Sequence, residues 1–318
     1  MILITGGLGF IGSHTARALV DLGETCVLTQ RRASEPNPLL ADEIGKRVFL
    51  EQVDVTDPRA LVEVGERHHV TGVIHLAGAF FGDPISDARA NFGAMLNVVE
   101  AAKAWGIRRV GVASTIGVYD GGGIGALSES TPLPISAGHG IASSKKINEI
   151  LISHLGPATG IELYATRIGA IWGPLGRVTS PFFAVPQLIH AAASGNALDI
   201  STLPNGRLPH AEDGIDLMYV RECGRALALL QLADRLEHRV YNVSSGRVTT
   251  YGEVMEGIKA ALPDVGLEIP EGRDPQFSFS SSWLDTSRLR QDTGYEPEYD
   301  TERAVADYIA WLRAGNKR

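Results

Sequence analysis

The chain has 318 residues, of which 44% are hydrophobic and 21% charged, a balance typical of a globular protein with a sizeable core. Its formal net charge of −8 argues against a nucleic-acid partner, because phosphate binding depends on clustered lysine and arginine. The two cysteines, Cys26 and Cys223, exclude a disulfide framework, so we expect a reducing compartment, the cytoplasm. We expect no secretion signal at the start of the chain. We also expect no membrane association, because no apolar run approaches the roughly 20 residues of a membrane span.

The first predicted elements are a strand, a glycine turn and a helix. Residues 2–5 are apolar and predict a short buried strand, and an apolar stripe over residues 11–22 predicts an amphipathic helix. Between them lie Gly6, Gly9 and Gly12, and a second apolar strand is expected at residues 25–29. Glycines at this place let the backbone approach a pyrophosphate, and the free N–H groups of the helix start favour that anion. The segment therefore predicts a dinucleotide site.

Apolar strands continue to alternate with helical segments along the chain. Strands are expected at residues 48–55, 73–77, 110–114 and 162–168, and a helix is expected over residues 90–105. This alternation predicts an α/β fold of the Rossmann type, with a doubly wound parallel sheet covered by helices on both faces. We assign residues 1–165 to this dinucleotide-binding domain, to which the chain returns around residues 214–245. Residues 166–318 are expected to form mainly a smaller, C-terminal substrate-binding lobe.

Several short motifs occur in the order known from one family. They are Gly6-x-x-Gly9-x-x-Gly12, Asp54-Val55, His75-Leu76-Ala77-Gly78, Asn91, Ser114-Thr115 with Val118-Tyr119, Ser144-Lys145 with Glu149, Arg167 with Gly173-Pro174, Tyr241-Asn242-Val243 and Trp283-Leu284-Asp285. On these motifs the chain resembles the extended short-chain dehydrogenase/reductases, often called NAD-dependent epimerase/dehydratases, over nearly its full length. The resemblance implies an NAD(P)-dependent enzyme. It places the following residues at the cofactor: Gly6, Gly9, Phe10, Ile11, Gly12, Gln30, Arg31, Arg32, Asp54, Val55, Leu76, Ala77, Gly78, Asn91, Lys145 and Ile168.

The end of the second strand bears on the choice between NADP and NAD. Sites that prefer NAD carry an acidic residue there, which binds the ribose hydroxyls. This chain has Gln30 followed by Arg31 and Arg32, so no carboxylate repels a 2′-phosphate and two arginines could bind it. We therefore expect NADP. The alternative is NAD, with Gln30 on the ribose and both arginines in solvent.

The chemistry of the resembled family uses a Tyr-x-x-x-Lys pair, whose lysine holds the nicotinamide ribose and lowers the pKa of the tyrosine. With Lys145 as the lysine, the tyrosine position holds Ile141, and counted from Lys146 it holds Ala142. Three explanations stay open: another group relays the proton, the chain binds a dinucleotide but does little chemistry, or residue 141 is a substitution. The candidate relay groups are Thr115, Tyr119, His139 and Ser143.

The substrate side departs from the family as well. Members that act on nucleotide sugars have an asparagine where this chain has Ala170, and a diphosphate-binding arginine where it has Ile215. A small carbonyl or hydroxyl substrate is therefore supported at least as well as a nucleotide sugar. The arginines that could compensate are Arg177, Arg207, Arg221 and Arg273. Substrate contacts are predicted for Phe80, Thr115, Tyr119, Ile141, Ala170 and Arg177.

Taken together, these residues predict an oxidoreductase or epimerase that acts on a small carbonyl, hydroxyl or sugar compound. The catalytic residues are expected to be Thr115, Lys145 and His139, and no histidine spacing indicates a metal site. The alternatives are a dinucleotide-binding regulatory or sensor protein and a non-redox lyase or isomerase on the same fold. The resemblance also implies a homodimer, with an interface formed by helices over residues 90–105 and 143–155.

Overall fold

A computed structural model describes residues 1–33, 38–79, 82–120, 123–276 and 282–316. In these ranges the strands are β1 (Ile2–Thr5), β2 (Cys26–Gln30), β3 (Val48–Gln52), β4 (Gly72–His75), β5 (Arg109–Thr115), β6 (Gly125–Leu127), β7 (Glu162–Ile168), β8 (Ala170–Trp172), β9 (Gly214–Ile215), β10 (Leu217–Tyr219), β11 (Val240–Val243), β12 (Thr249–Thr250) and β13 (Ser282–Leu284). The helices are α1 (Phe10–Asp21), α2 (Pro58–Arg67), α3 (Pro84–Ala104), α4 (Gly140–Thr159), α5 (Val185–Ser194), α6 (Val220–Leu232), α7 (Tyr251–Ala261), α8 (Ser287–Thr293) and α9 (Thr301–Arg313). Short 3-10 turns lie at Ile116–Tyr119, Ile200–Thr202 and Pro204–Gly206.

The main sheet has seven strands in the order β11-β7-β5-β4-β1-β2-β3. Every neighbouring pair in it is parallel. The chain starts in the middle at β1, moves outward through β2 and β3, and then crosses back to β4 on the other side. Ligands of such sheets bind at the carboxyl ends of the strands, where the strand order reverses. The expected doubly wound parallel sheet is confirmed.

Both faces of the sheet are buried, as near-continuous apolar strands require. One face packs against α2, α3 and α4, whose contribution to the core includes Leu61, Met95 and Ile152. The other face packs against α1 and α6 through residues such as Leu19 and Leu227. Burial of these apolar stripes is the main stabilising term, at about 25 cal/mol per Å² removed from water.

Several predicted element boundaries differ from the structure, and two of the differences have clear local reasons. The strand expected to end at residue 55 ends at Gln52, because Asp54 starts a turn by accepting hydrogen bonds from the backbone N–H and hydroxyl of Thr56. The helix expected from residue 90 begins at Pro84. There Asp83 caps the helix by accepting from the Ser86 N–H, and proline is well suited to the first helical position.

A second apolar cluster lies outside the main sheet. It joins α5, α7 and α9 with the parallel pair β8 and β10, and its centre is aromatic. The ring centroid of Trp172 lies 5.1 Å from that of Tyr219 and 6.4 Å from that of Tyr308. The predicted return of the chain over residues 214–245 contains α6 and β11, which both belong to the main sheet layer. The division into two domains stays a prediction.

Helices α1 and α6 are far apart in the sequence but make close contact in the fold. Gly224 of α6 allows the approach, because a Cβ there would lie 2.5 Å from the carbonyl carbon of His14. The buried His14 imidazole donates from Nε2 to the Pro174 carbonyl at 2.9 Å, and burial lowers its pKa to about 4. Helix α1 is thereby joined to both α6 and the segment after β8.

Within the described ranges, no helix combines the length and apolar character that crossing a membrane requires.

Candidate active site

The glycine turn after β1 forms a compact start for α1. Gly6 has a φ of +67°, which favours glycine, and its carbonyl accepts from the Gly9 N–H at 2.9 Å. A Cβ on Gly12 would collide with the Gly6 carbonyl oxygen, so the turn depends on both residues. Gly9 is the N-cap and offers no side-chain cap, which leaves N–H groups of the first turn of α1 for another partner. This is the geometry that a pyrophosphate requires.

The adenine side of the predicted cofactor site lies after β2 and β3. Gln30 ends β2, and Arg31 and Arg32 follow it on the surface. The pKa of the Asp54 carboxyl is lowered, first by the hydrogen bond from the Thr56 backbone and also by the charge of Arg31. Arg31 therefore faces the region of Asp54 and Val55, and the predicted adenine and ribose contacts lie at one edge of the sheet.

The segment after β4 is held by two polar side chains. Thr5 accepts from the N–H groups of Leu76 and Ala77 at 3.2 Å each, and its hydroxyl lies 2.7 Å from His75 Nδ1. Asn91 of α3 accepts from the Ala79 N–H at 2.8 Å and donates to the Ala79 carbonyl at 2.9 Å. Asn91 thus holds the segment that follows β4, and its predicted contact with the cofactor stays a prediction.

The two adjacent lysines of α4 have different surroundings. Lys146 Nζ donates to the carbonyls of Pro134 and Ser136 at 2.5 and 2.6 Å, so it anchors the loop that precedes α4. Lys145 lies one helical turn after Ile141. The pKa of His75 at the end of β4 is lowered first by burial and then by the charge of Lys145. Burial of the Lys145 amine lowers its own pKa from 10.5 to about 8. Lys145 is therefore the lysine that faces the carboxyl edge of the sheet.

Thr115 ends β5 and caps the following 3-10 turn, where its Oγ1 accepts from the Gly117 N–H at 3.2 Å. Beneath it, Glu149 of α4 accepts from the Ser114 hydroxyl at 2.5 Å and pairs with Arg167 of β7 at 2.7 Å. The Glu149 and Arg167 side chains are only 7% and 5% exposed. This buried network joins α4, β5 and β7, and so fixes the relative positions of Thr115 and Lys145.

Tyr119 belongs to the same network. Its phenol oxygen accepts from Arg167 at 2.7 Å and lies 2.8 Å from Asn242 Oδ1 and 3.0 Å from the Ser128 carbonyl. Burial raises the pKa of this phenol, and the residue is 3% exposed. These contacts favour a structural role. The predicted substrate contact of Tyr119 stays a prediction.

His139 lies at the start of α4, two residues before Ile141. Its Nδ1 accepts from the Ala142 N–H at 3.3 Å, so it caps the helix, and its Nε2 lies 3.5 Å from Asp120 Oδ2. A Cβ on Gly117 would lie 3.2 Å from Nε2, which places the imidazole over the turn that Thr115 caps. Both ring nitrogens have protein partners, so a catalytic role would require one of them to be given up.

The residues at the tyrosine position carry no group that can transfer a proton. Ile141 is partly exposed and Ala142 is fully buried. Ile168 and Ala170 lie at the end of β7 and the start of β8, at the same sheet edge as Thr115. Phe80 lies outside the described residues.

Three of the four arginines considered for a diphosphate are paired with carboxylates. Arg221 lies 2.9 Å from Asp307, Arg207 lies 3.0 Å from Asp274, and Arg273 lies 3.5 Å from Glu212. Arg177 is exposed in the segment after β8 and makes no ion pair with any residue in the described ranges. This segment is close to α1, because Gly176 packs against the Phe10 ring.

Sequence reasoning missed the roles of Thr5, Asp120 and Lys146. Thr5 could have been noticed, since a hydroxyl at the end of the first strand lies next to the glycine turn. Asp120 and Lys146 gave no signal, because their partners are fixed by tertiary contacts. Among the described residues, no group of three or more His, Cys, Asp and Glu side chains could hold a metal ion.

The arrangement fits a dinucleotide, because three features lie along one sheet edge: an uncapped helix start, a close glycine turn and an amine that no residue in the described ranges pairs with. A parallel sheet with such a site defines the class of α/β nucleotide-binding proteins. Residues 2–256 match the model of the NAD-dependent epimerase/dehydratase family, and the chain belongs to that family. The predicted membership in the extended short-chain dehydrogenase/reductases, and the enzyme class that goes with it, is confirmed.

Relatives agree with this assignment along the whole chain, and solved structures share the fold. A UDP-glucose 4-epimerase of Neisseria gonorrhoeae is 27% identical, covering 98% of this chain and 97% of the relative. A dTDP-glucose 4,6-dehydratase of Streptomyces griseus is 25% identical, covering 98% and 93%. The structure of a UDP-N-acetylglucosamine 4-epimerase from Methanobrevibacter ruminantium has a TM-score of 0.80 at 23% identity, covering 99% and 98%. A Bacillus anthracis dTDP-glucose 4,6-dehydratase in complex with NAD has a TM-score of 0.79 at 18% identity, covering 99% and 97%.

Proposed function

We propose that this chain is an NADP-dependent oxidoreductase or epimerase that acts on a carbon bearing a hydroxyl or carbonyl oxygen in a small compound or sugar. One observation carries the proposal: the Lys145 amine, which has no counter-charge among the described residues, faces the end of β4, beside the point where the strand order reverses. A nicotinamide cofactor supplies the hydride acceptor or donor when bound. The glycine turn and the start of α1 would hold its pyrophosphate, Lys145 would bind its ribose, and Thr115 would hydrogen-bond the reacting oxygen.

Calorimetry with NADPH and NADH tests the cofactor site directly. We expect NADPH to bind, and Lys145→Met to weaken binding by about tenfold, the loss of one charge-assisted hydrogen bond. Lys103→Met, at an exposed position near the end of α3, is the matched control and should bind as the wild type does. Binding of neither cofactor would overturn the proposed function.

The preference for NADP rests on charge at the end of β2. Gln30 brings no negative charge towards a 2′-phosphate, and Arg31 and Arg32 are exposed next to it. We expect Arg32→Ala to weaken NADPH binding by about tenfold and to leave NADH binding unchanged. Arg59→Ala on α2, a side chain 90% exposed, is the control. Tighter binding of NADH than of NADPH by the wild type would refute the preference and leave the enzyme class intact.

We infer that the substrate lacks a nucleotide diphosphate, although the curated relatives above are named for UDP-glucose and dTDP-glucose. A diphosphate in a cleft needs charge-assisted donors. Three of the four candidate arginines are already paired, and only the exposed Arg177 lacks an ion pair with any described residue. UDP-glucose added to the NADPH-loaded protein is expected to give no binding heat at millimolar concentration. Micromolar binding would show a nucleotide-sugar site.

A dinucleotide-binding sensor with little catalysis is the second candidate, and Ile141 is the observation that favours it. Turnover of secondary alcohols, ketones and free sugars by wild type and Ile141→Tyr separates the two. A sensor predicts cofactor binding by both proteins and turnover by the variant alone.

We also propose a homodimer formed through α3 and α4, and we keep the cytoplasm as the expected compartment. Leu96, Ile147 and Ile150 are exposed on these two helices, at 40%, 41% and 67%. Apolar side chains at this density on neighbouring helices suit a second copy. Sedimentation of wild type at micromolar concentration should give a dimer, and Ile150→Asp a monomer. Ile200→Asp, at an isoleucine 45% exposed outside both helices, is the control.

A further inference from the structure

Lys145 is singled out by its surroundings on α4. It lies on the same face as Ile141, one turn later, and it faces His75 at the end of β4. Lys146 points elsewhere, to the Pro134 and Ser136 carbonyls. Only the first of the two lysines can therefore meet a ligand at the carboxyl edge of the sheet.

The carboxylates and histidines that the structure describes around Lys145 do not balance the charge of its amine. Glu149, one turn further along α4, is bound to Arg167 of β7 and to Ser114 of β5. His75 of β4 is buried, and burial lowers its pKa to about 3, so it is neutral. Over the ranges that the structure describes, Lys145 makes no ion pair or hydrogen bond, and burial lowers the pKa of its amine to about 8. A lysine in this state changes charge close to neutral pH.

The other candidate groups for the proton relay already make hydrogen bonds or polar contacts within the protein. Tyr119 binds Arg167 and the residues around it, and burial raises its pKa. His139 uses Nδ1 to cap α4 and Nε2 towards Asp120. Thr115 accepts from the Gly117 N–H, and the Ser143 hydroxyl donates to the His139 carbonyl at 3.3 Å. Neither hydroxyl has a second protonation state near neutral pH. Among these candidates, Lys145 alone has no hydrogen-bond partner in the described residues and can also gain or lose a proton close to neutral pH.

We propose that Lys145 itself exchanges the proton with the reacting oxygen, the step that a tyrosine at position 141 would otherwise perform. During oxidation of a secondary alcohol, a bound oxidised nicotinamide would accept the hydride with the two electrons of the C–H bond, and the O–H proton would pass to the unprotonated form of the Lys145 amine. The C=O bond forms and Lys145 becomes an ammonium. Reduction reverses each transfer. Ile141 contributes an apolar wall, which maintains the desolvation that lowers the pKa of the amine.

The proton-transfer role of Lys145 rests on the proposed function. The experiment is therefore chosen so that the failure of one can be told from the failure of the other. Lys145→Arg keeps the positive charge near the ribose but cannot release its proton. NADPH affinity should stay within about threefold of wild type, while turnover of the best compound from a panel of ketones, secondary alcohols and free sugars should fall by about 100-fold or more. Lys103→Arg, at an exposed position on α3, should leave both unchanged.

A second readout does not depend on turnover. Reductive methylation with ¹³C-formaldehyde, followed by NMR, gives the pKa of each lysine amine, and the signal missing from Lys145→Arg assigns Lys145. A value well below 10.5 in the protein saturated with NADP⁺ supports the assignment, and the rate of alcohol oxidation should rise with pH up to the same value. The proton-transfer role of Lys145 is overturned if Lys145 titrates near 10.5, or if Lys145→Arg retains a tenth or more of wild-type turnover. Either result leaves the proposed function standing. If wild type binds cofactor but turns over no compound of the panel, the proposed function falls instead.

Discussion

Replacing Glu149 by Gln tests whether the buried ion pair beneath Thr115 holds the site together. Glu149 Oε2 lies 2.7 Å from Arg167 Nη2, and the two side chains are 7% and 5% exposed. Removing one partner leaves an uncompensated buried charge, which typically costs about 3–5 kcal/mol. Arg167 keeps its hydrogen bonds to Tyr119 and the Glu129 carbonyl, so we expect the lower end, about 3 kcal/mol.

Equilibrium unfolding in urea, followed by tryptophan fluorescence, measures this loss. The control is Glu63→Gln, which breaks an exposed pair with Arg59 at 3.4 Å, where the two side chains are 43% and 90% exposed. That variant should lose less than about 1 kcal/mol, because exposed pairs contribute little. Equal losses in the two variants would refute the reasoning. The double variant Glu149→Met/Arg167→Met should recover most of the stability, since no charge is then left unpaired.

Three further variants test local features. Lys145→Met should raise the free energy of unfolding at pH 7 by about 3 kcal/mol, because burial lowers the pKa of the amine from 10.5 to about 8 and Met has no charge to bury. Between about pH 8 and 10.5 the folded wild type binds fewer protons than the unfolded chain. The gain in stability should therefore shrink as the pH rises through that window, as measured by urea titrations. Gly12→Ala should weaken NADPH binding by at least about tenfold in calorimetry, because its Cβ would collide with the Gly6 carbonyl, whereas Gly93→Ala, with open space around its Cβ, should bind normally. Leu175→Gly should raise stability by about 1 kcal/mol in thermal unfolding, because Leu175 has a φ of 69°, and a lower melting temperature would show that its side-chain contacts outweigh the strain.

The fold could be predicted because its signals are local. The apolar run at Ile2–Thr5, the glycine spacing and the alternation of strands and helices each depend on neighbouring residues. The start of α3 at Pro84 was missed although Asp83 and Pro84 are a helix-start signal, because the first turn carries no apolar stripe.

The candidate site was predictable only in outline. The family motifs indicated Lys145 and Thr115, but not that Lys146 anchors a loop or that both nitrogens of His139 are engaged. These facts depend on contacts between residues that are distant in sequence. The same holds for Arg221, whose carboxylate partner lies in α9.

The contact between α1 and α6 limits where this chain can be truncated and which segments can be exchanged with a relative. A fragment ending at residue 165 would lack α6 and β11, leaving the apolar side of α1 and one edge of the sheet uncovered. Such a fragment should aggregate when expressed alone. An exchange of substrate specificity with a relative should therefore transplant the cluster around Trp172 and Tyr308 while keeping the native α6, β11 and the Pro174 carbonyl that His14 binds.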